Sequence, residues 1–210
     1  MTKLSVNINK FATLRNARGG NLPDILKIAQ DCESFGADGI TVHPRPDERH
    51  IRYQDVRDLK PLVTTEFNIE GYPSTGFMDL VLEVKPHQCT LVPDPPDAIT
   101  SNTGWDTVQY QSQLKDVIST LKKAGIRVSI FLNADVSKVA GAKSAGADRV
   151  ELYTGPYAEE YTKALTQPQN LQLFNDYKNT AREATAVGLE LNAGHDLNLD
   201  NLRFFKLHIP

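Results

Sequence analysis

Ser34-Phe35-Gly36-Ala37-Asp38-Gly39-Ile40-Thr41-Val42-His43-Pro44-Arg45 carries the end of a helical run, a glycine turn and a strand. Ile40 and Val42 alternate with Thr41 and His43, so the strand has one apolar and one polar face. The turn recurs in Lys123-Ala124-Gly125-Ile126-Arg127 and Ser144-Ala145-Gly146-Ala147-Asp148, and Gly188 also stands where a helix ends and a strand begins. Helix, glycine turn and strand repeated along one chain predict a βα repeat and a parallel sheet.

The same alternation marks strands at residues 4–9, 39–45, 67–70, 88–92, 128–133, 150–153 and 189–195. Helical spacing fills 23–35, 53–63, 74–84, 107–124, 137–145, 171–187 and 199–206. Strands of a parallel sheet are usually apolar on both faces. Here one face repeats polar groups: Ser5, Asn7 and Asn9; Thr41, His43 and Arg45; Asn68 and Glu70; Glu151 and Tyr153; Glu190 and Asn192. That face is expected to line an interior where substrate chemistry happens. The predicted fold is an α/β, TIM (β/α)8-type barrel forming a single domain over 1–210. Seven strands and a seventh helix ending near His208 fall short of a closed eight-strand barrel. The chain as given is therefore expected to lack the eighth strand and last helix, roughly 25 to 30 residues.

The 210 residues carry a formal charge of −3, which gives no general pull toward nucleic acid or an anionic membrane, so anion binding must be local. No apolar run approaches a membrane span or a signal peptide. Cys32 and Cys89 make no disulfide framework and read as small buried hydrophobes. Two stretches break the rhythm. Residues 93–105 form a long loop after the fourth strand, where barrels hold substrates. Residues 154–168 read as a loop with a short extra helix, structural or interfacial.

Four clusters carry chemistry. Lys10, Arg15 and Arg18, beside Asn7, Asn9 and the Gly19-Gly20 pair, run off the first strand into a loop that is either a solvated turn or a phosphate grip. His43, Arg45, Arg49 and His50 follow the second strand, where an imidazole can exchange protons and arginines can hold anions. His43 as a hydrogen-bonded core residue, and a metal site of His43, His50 and Asp47, are the plainer readings; prolines and irregular spacing speak against the metal. Glu70 and Glu151 lie on the polar face, either paired structurally or placed for acid and base work. Asn192-Ala193-Gly194-His195-Asp196 ends the seventh strand, where barrels commonly build a phosphate site and Gly194 lets backbone N–H groups approach an anion. No Walker, dinucleotide or nucleophile-elbow motif is present.

Val6-Asn7-Ile8 with Ala12-Thr13-Leu14-Arg15-Asn16-Ala17-Arg18, Gly36 through His43, Asn68-Ile69-Glu70, Leu91-Val92-Pro93 and Asn192-Ala193-Gly194-His195 together resemble the pyridoxine 5'-phosphate synthase family of vitamin B6 biosynthesis. The resemblance implies condensation of 1-deoxy-D-xylulose 5-phosphate with 3-amino-2-oxopropyl phosphate, without a metal or organic cofactor, in a cytoplasmic homo-oligomer, an octamer. It makes His43 and Glu70 general bases, His195 a general acid and Glu151 a stabiliser of the transition state. Asn7 and Arg18 would hold the amino ketone phosphate, and Arg45, His50 and Thr100 the deoxyxylulose phosphate. Asn9-Lys10 stands where the best-known members carry Asp-His, and Asp196 where many have glycine, so the contacts of Asn9, Lys10 and Asp196 with substrate depart from the family pattern. Two rival expectations share the fold: a sugar-phosphate aldolase or epimerase, and a catalytically dead phosphate-binding protein.

Overall fold

The structure, a computed structural model, describes residues 2–94, 102–164 and 172–209. Two compact units divide the chain, the first running through β4 and including residues 121–127, the second holding the rest. The first contains β1 (Ser5–Asn7), α1 (Asn9–Arg18), α2 (Ile25–Ser34), β2 (Gly39–Val42), α3 (Tyr53–Leu59), β3 (Glu66–Gly71), α4 (Thr75–Val84) and β4 (Gln88–Leu91). After α5 (Gln111–Lys123) and β5 (Arg127–Leu132), the second continues through α6 (Val139–Ala145), β6 (Arg149–Tyr153), α7 (Gly155–Ala164), α8 (Gln172–Ala186), β7 (Glu190–Gly194) and α9 (Leu202–His208). Within each unit consecutive strands are parallel neighbours. Val6 lies opposite Ile40, Ile40 opposite Phe67 and Ile69 opposite Cys89; Ile130 lies opposite Val150 and Val150 opposite Leu191. The fold class is that of the α/β barrels, with seven strands among the described residues.

The glycine turns explain the repetition. Gly36, Gly125, Gly146 and Gly188 all adopt positive φ, between 74° and 100°, a region where a Cβ is disfavoured. At each, the glycine N–H and the next residue's N–H reach back to the last helical turn: Ala37 to the Cys32 carbonyl, Ile126 to Leu121, Ala147 to Ala142 and Leu189 to Ala184. These are paired C-terminal caps that satisfy otherwise orphaned carbonyls. The aspartates that follow two of them pin the preceding strand. Asp38 accepts the Leu4 N–H at 2.9 Å, and Asp148 accepts the Val128 N–H at 2.9 Å. In the third copy Arg127 stands instead, donating to Gln88 Oε1 at 3.1 Å and pairing with Glu66.

Ile8, Ile40, Val42, Phe67, Ile69 and Leu91 are buried in the first unit, and Val128, Ile130, Leu132, Val150 and Leu152 in the second, as the alternation requires. The polar face is used differently from expectation over its first half. Ser5 bonds Thr41 at 2.7 Å, Asn68 Nδ2 donates to Thr41 at 3.2 Å, and Asn68 Oδ1 accepts from Thr90 at 3.0 Å and from Gln88 at 3.2 Å. Thr41, Asn68, Gln88 and Thr90 are buried and satisfy one another, with Ser5 joining from the exposed edge, so they are structural. Glu190 likewise is exposed and pairs with Arg149 rather than facing an interior.

The expected loop after the first strand is instead α1, and Asn9 is its first residue, not part of β1. This helix has no side-chain N-cap and buries only Ala12 and Arg15, which leaves little periodic signal. Arg15 is not a phosphate grip. Its guanidinium makes a bidentate pair with Asp55 at 2.6 and 2.8 Å and donates to the His50 carbonyl at 3.1 Å. Asp55 also accepts the Arg52 N–H at 2.7 Å, so one carboxylate caps α3 and anchors α1. Arg15→Met should therefore destabilise the protein by about 3 kcal/mol, because it strands a largely buried carboxylate; chemical denaturation checks this, and a loss under about 1 kcal/mol would show that the pair is dispensable.

Candidate active site

The anticipated functional residues fall into two groups, one in each unit. In the first, β1 and β2 end side by side. Asn7 Oδ1 accepts the Asn9 N–H at 3.0 Å, and Asn9 Oδ1 in turn accepts the His43 N–H at 2.9 Å. The Asn9 carboxamide thus fixes the backbone from which His43 projects. His43 is buried, and its ring stands edge-on to His50 with centroids 6.1 Å apart. Loss of hydration, then the charge of Arg45, depresses the His43 pKa to about 3. His50 is brought down to about 4, first by burial and then by Arg45. Both imidazoles are neutral at physiological pH. Nδ1 of His50 accepts the Ile51 N–H at 2.9 Å, which puts its proton on Nε2.

Arg45 is buried and pairs with Asp94 Oδ2 at 2.8 Å, the carboxylate being equally buried. Asp94 lies just past β4, at the start of the long loop, and was not among the anticipated site residues. Nothing in sequence spacing links positions 45 and 94. With His43, Pro44, Pro46, Tyr72, Ser74 and Phe77, this ion pair lines a cleft. Glu70 sits on β3 opposite Thr90 of β4, and its charge pushes the buried Cys89 thiol up after desolvation has done so. Lys10 and Arg18 are exposed on α1. Thr100 lies outside the described residues. Among the described residues no group of three or more His, Cys, Asp and Glu side chains is placed to hold a metal ion.

The second group joins β6 to β7. Glu151 is 8% exposed, and burial raises its pKa to about 7, so near neutrality it can both give and take a proton. Gly194 makes room for it: a Cβ there would stand 2.7 Å from Glu151 Oε1. His195 meets the edge of Tyr153 at 5.0 Å and lies 6.4 Å from Phe131, and its Nδ1 is 2.8 Å from Asp196 Oδ2. Thr154, fully buried, donates its hydroxyl to the Gly194 carbonyl at 2.7 Å. Gly104 closes against the end of β5, its N–H donating to Asn133 Oδ1 at 2.9 Å. Phe131 and Thr154 lack any signal in the sequence beyond their place near strand ends, whereas Tyr153 shares the polar face with Glu151.

Parallel βα repeats that collect proton-exchanging side chains at the C-terminal ends of their strands define the α/β-barrel enzymes. Residues 4–210 match the family described as pyridoxal phosphate biosynthesis protein PdxJ, and the chain belongs to that family. It is 61% identical over 211 residues to the pyridoxine 5'-phosphate synthase of Phocaeicola vulgatus and 60% identical over 210 residues to that of Cytophaga hutchinsonii, covering 100% of this chain and 86% of each relative. Two solved structures of mandelate oxidase are similar at 13% identity with TM-scores of 0.56 and 0.55, covering 89% of this chain and 65% and 66% of theirs, a likeness of fold alone.

Two tests follow from this geometry. With its pKa depressed from 6.5 to about 3, His43 favours the unfolded state increasingly as pH falls below 6.5, by about 3 kcal/mol at pH 4. His43→Asn should therefore flatten the loss of stability between pH 6.5 and 4, measured by denaturation at each pH, though His50 retains part of the slope. Glu151 acts oppositely, since its raised pKa removes stability as pH rises from 4.5 to about 7. Gly194→Ala should keep the fold, because the atom it meets is the end of a flexible side chain, yet displace the Glu151 carboxylate and lower turnover by about tenfold. Unchanged turnover would show that the carboxylate has no fixed task.

Proposed function

We propose that the chain is a pyridoxine 5'-phosphate synthase, joining 1-deoxy-D-xylulose 5-phosphate to 3-amino-2-oxopropyl phosphate with release of phosphate and water. The observation that supports this reading is that each unit holds a proton exchanger tuned by burial: an imidazole kept neutral at the end of β2, and on β6 a carboxyl kept near half-protonation. Imine formation, loss of water and phosphate and closure of an aromatic ring need several proton transfers, and groups held in different protonation states can share them.

His43 and Glu70 act as general bases, His195 as the acid, and Glu151 steadies charge in the transition state. Burial is the main cause of the depressed His43 pKa; a phosphate arriving beside Arg45 would offset the arginine's smaller share and so raise the basicity of His43. Arg45 and His50 hold the deoxyxylulose phosphate with Thr100, and Asn7 and Arg18 the amino ketone phosphate. Arg45 meets its phosphate while paired with Asp94, which fixes the guanidinium in place before substrate arrives. Lys10 adds positive charge beside Asn9 on α1. A homo-oligomeric state is carried over from the family resemblance, a cytoplasmic location from two cysteines that make no disulfide framework, and a single domain over 1–210 from chain length and the βα rhythm.

Incubation with both substrates and detection of pyridoxine 5'-phosphate tests the reading; binding of both without product would overturn it in favour of a phosphate-binding protein. His43→Asn, Glu70→Gln and His195→Asn should each lower turnover by about a hundredfold while leaving the fold intact. Full activity in all three would remove the assignment.

A further inference from the structure

We propose that Asp196 is a positioning residue for His195, holding Nδ1 of its ring so that protons are exchanged at Nε2; this rests on the reading of His195 as the acid of the reaction. The turn that carries the pair is unusual. His195 and Asp196 have φ of 96° and 58°, two successive residues with side chains in the left-handed region, where each costs about 1 kcal/mol or more. The surrounding chain holds them there. Thr154 donates its N–H to the Gly194 carbonyl at 3.0 Å and its hydroxyl to the carbonyls of Gly194 and His195. From the other side the buried Asn201 donates Nδ2 to the Asp196 carbonyl at 3.1 Å. Clamped at both ends, the turn places Asp196 Oδ2 at 2.8 Å from His195 Nδ1. Tyr153 stands perpendicular to the same ring, with an interplanar angle of 89°.

An ionised carboxylate only accepts hydrogen bonds, so the Nδ1 it faces must carry the proton. That fixes the neutral ring as its Nδ1–H tautomer and leaves Nε2, on the opposite edge, as the atom that changes protonation state. The same carboxylate opposes an anion, so this role stands in place of a phosphate contact at position 196. Asp is among the side chains that tolerate left-handed backbone best, and here its short arm reaches the neighbouring ring without leaving the turn.

The test uses the full chain with Asp196→Gly and Asp196→Asn. Glycine removes the carboxylate and suits a φ of 58°, so the unfolding midpoint of Asp196→Gly should not fall. Nitrogen-15 resonances of the histidine rings should show the Nδ1–H tautomer at His195 in the parent and its loss in Asp196→Gly. Turnover should fall about tenfold, with KM for both substrates held within about twofold. Asp196→Asn keeps an acceptor oxygen and should restore the tautomer and most of the turnover. Persistence of Nδ1–H in Asp196→Gly, or turnover within about twofold of the parent, would overturn the proposal. Absence of product from the parent chain would defeat the synthase reading, while the ring resonances would still decide whether Asp196 sets the tautomer.

Discussion

The left-handed glycine turn at the end of α2, α5, α6 and α8 is the constraint on which the rest depends. Each turn ends a helix by satisfying its last carbonyls and sends the chain into the next strand in the same direction as the one before. Parallel strands in register place all their C-terminal ends together within each unit, and there the side chains are freed from the ladder. Asp38 and Asp148 extend the device, since the residue that follows the turn also fastens the start of the neighbouring strand. A short piece of local geometry thus sets strand direction, register and the location of chemistry at once.

Along the polar face, structure and chemistry divide by position. Thr41, Asn68, Gln88 and Thr90 satisfy one another, and a buried network of this kind specifies register without being available to a ligand. At His43 and Glu151 burial is the largest influence on the titrating group, and each responds in the direction its chemistry dictates. A base loses its proton and an acid keeps its own. His43 and Glu151 are both pushed toward neutrality by the same physical cause, and the result is one acceptor and one donor at neutral pH. In comparable burial the guanidinium of Arg45 is met by the Asp94 carboxylate at 2.8 Å.

Much of this was legible in the sequence. Strand positions followed from alternation to within a few residues, and the glycine turns from their repetition. His43, Glu70 and His195 were marked by being reactive groups at strand ends, and Glu151 by lying on the polar face within the sixth strand. Three things were not legible, each for a definite reason. Helix α1 lacks a capping side chain and an apolar stripe, so its cations read as a loop. Arg15 was left open between a solvated turn and a phosphate grip because sequence cannot reveal that Asp55, distant along the chain, completes a buried pair. Asp94 was passed over for the same reason: its meaning lies in a partner on another strand. Pairwise electrostatics across the fold is what a linear pattern conceals.

Thr154 gives the end of β6 a hold on two consecutive carbonyls, the last of β7 and the next, and its side chain is wholly enclosed. Serine keeps the hydroxyl but leaves a methyl-sized gap, and valine fills the gap but loses the donor, so neither neighbour in shape can replace it without loss. Position 154 is therefore closed to drift, whereas Pro156 and Glu159, exposed on α7, are open to it. A lineage that altered the turn at 195 and 196 would do so by changing those side chains, with this threonine as the fixed point about which they vary.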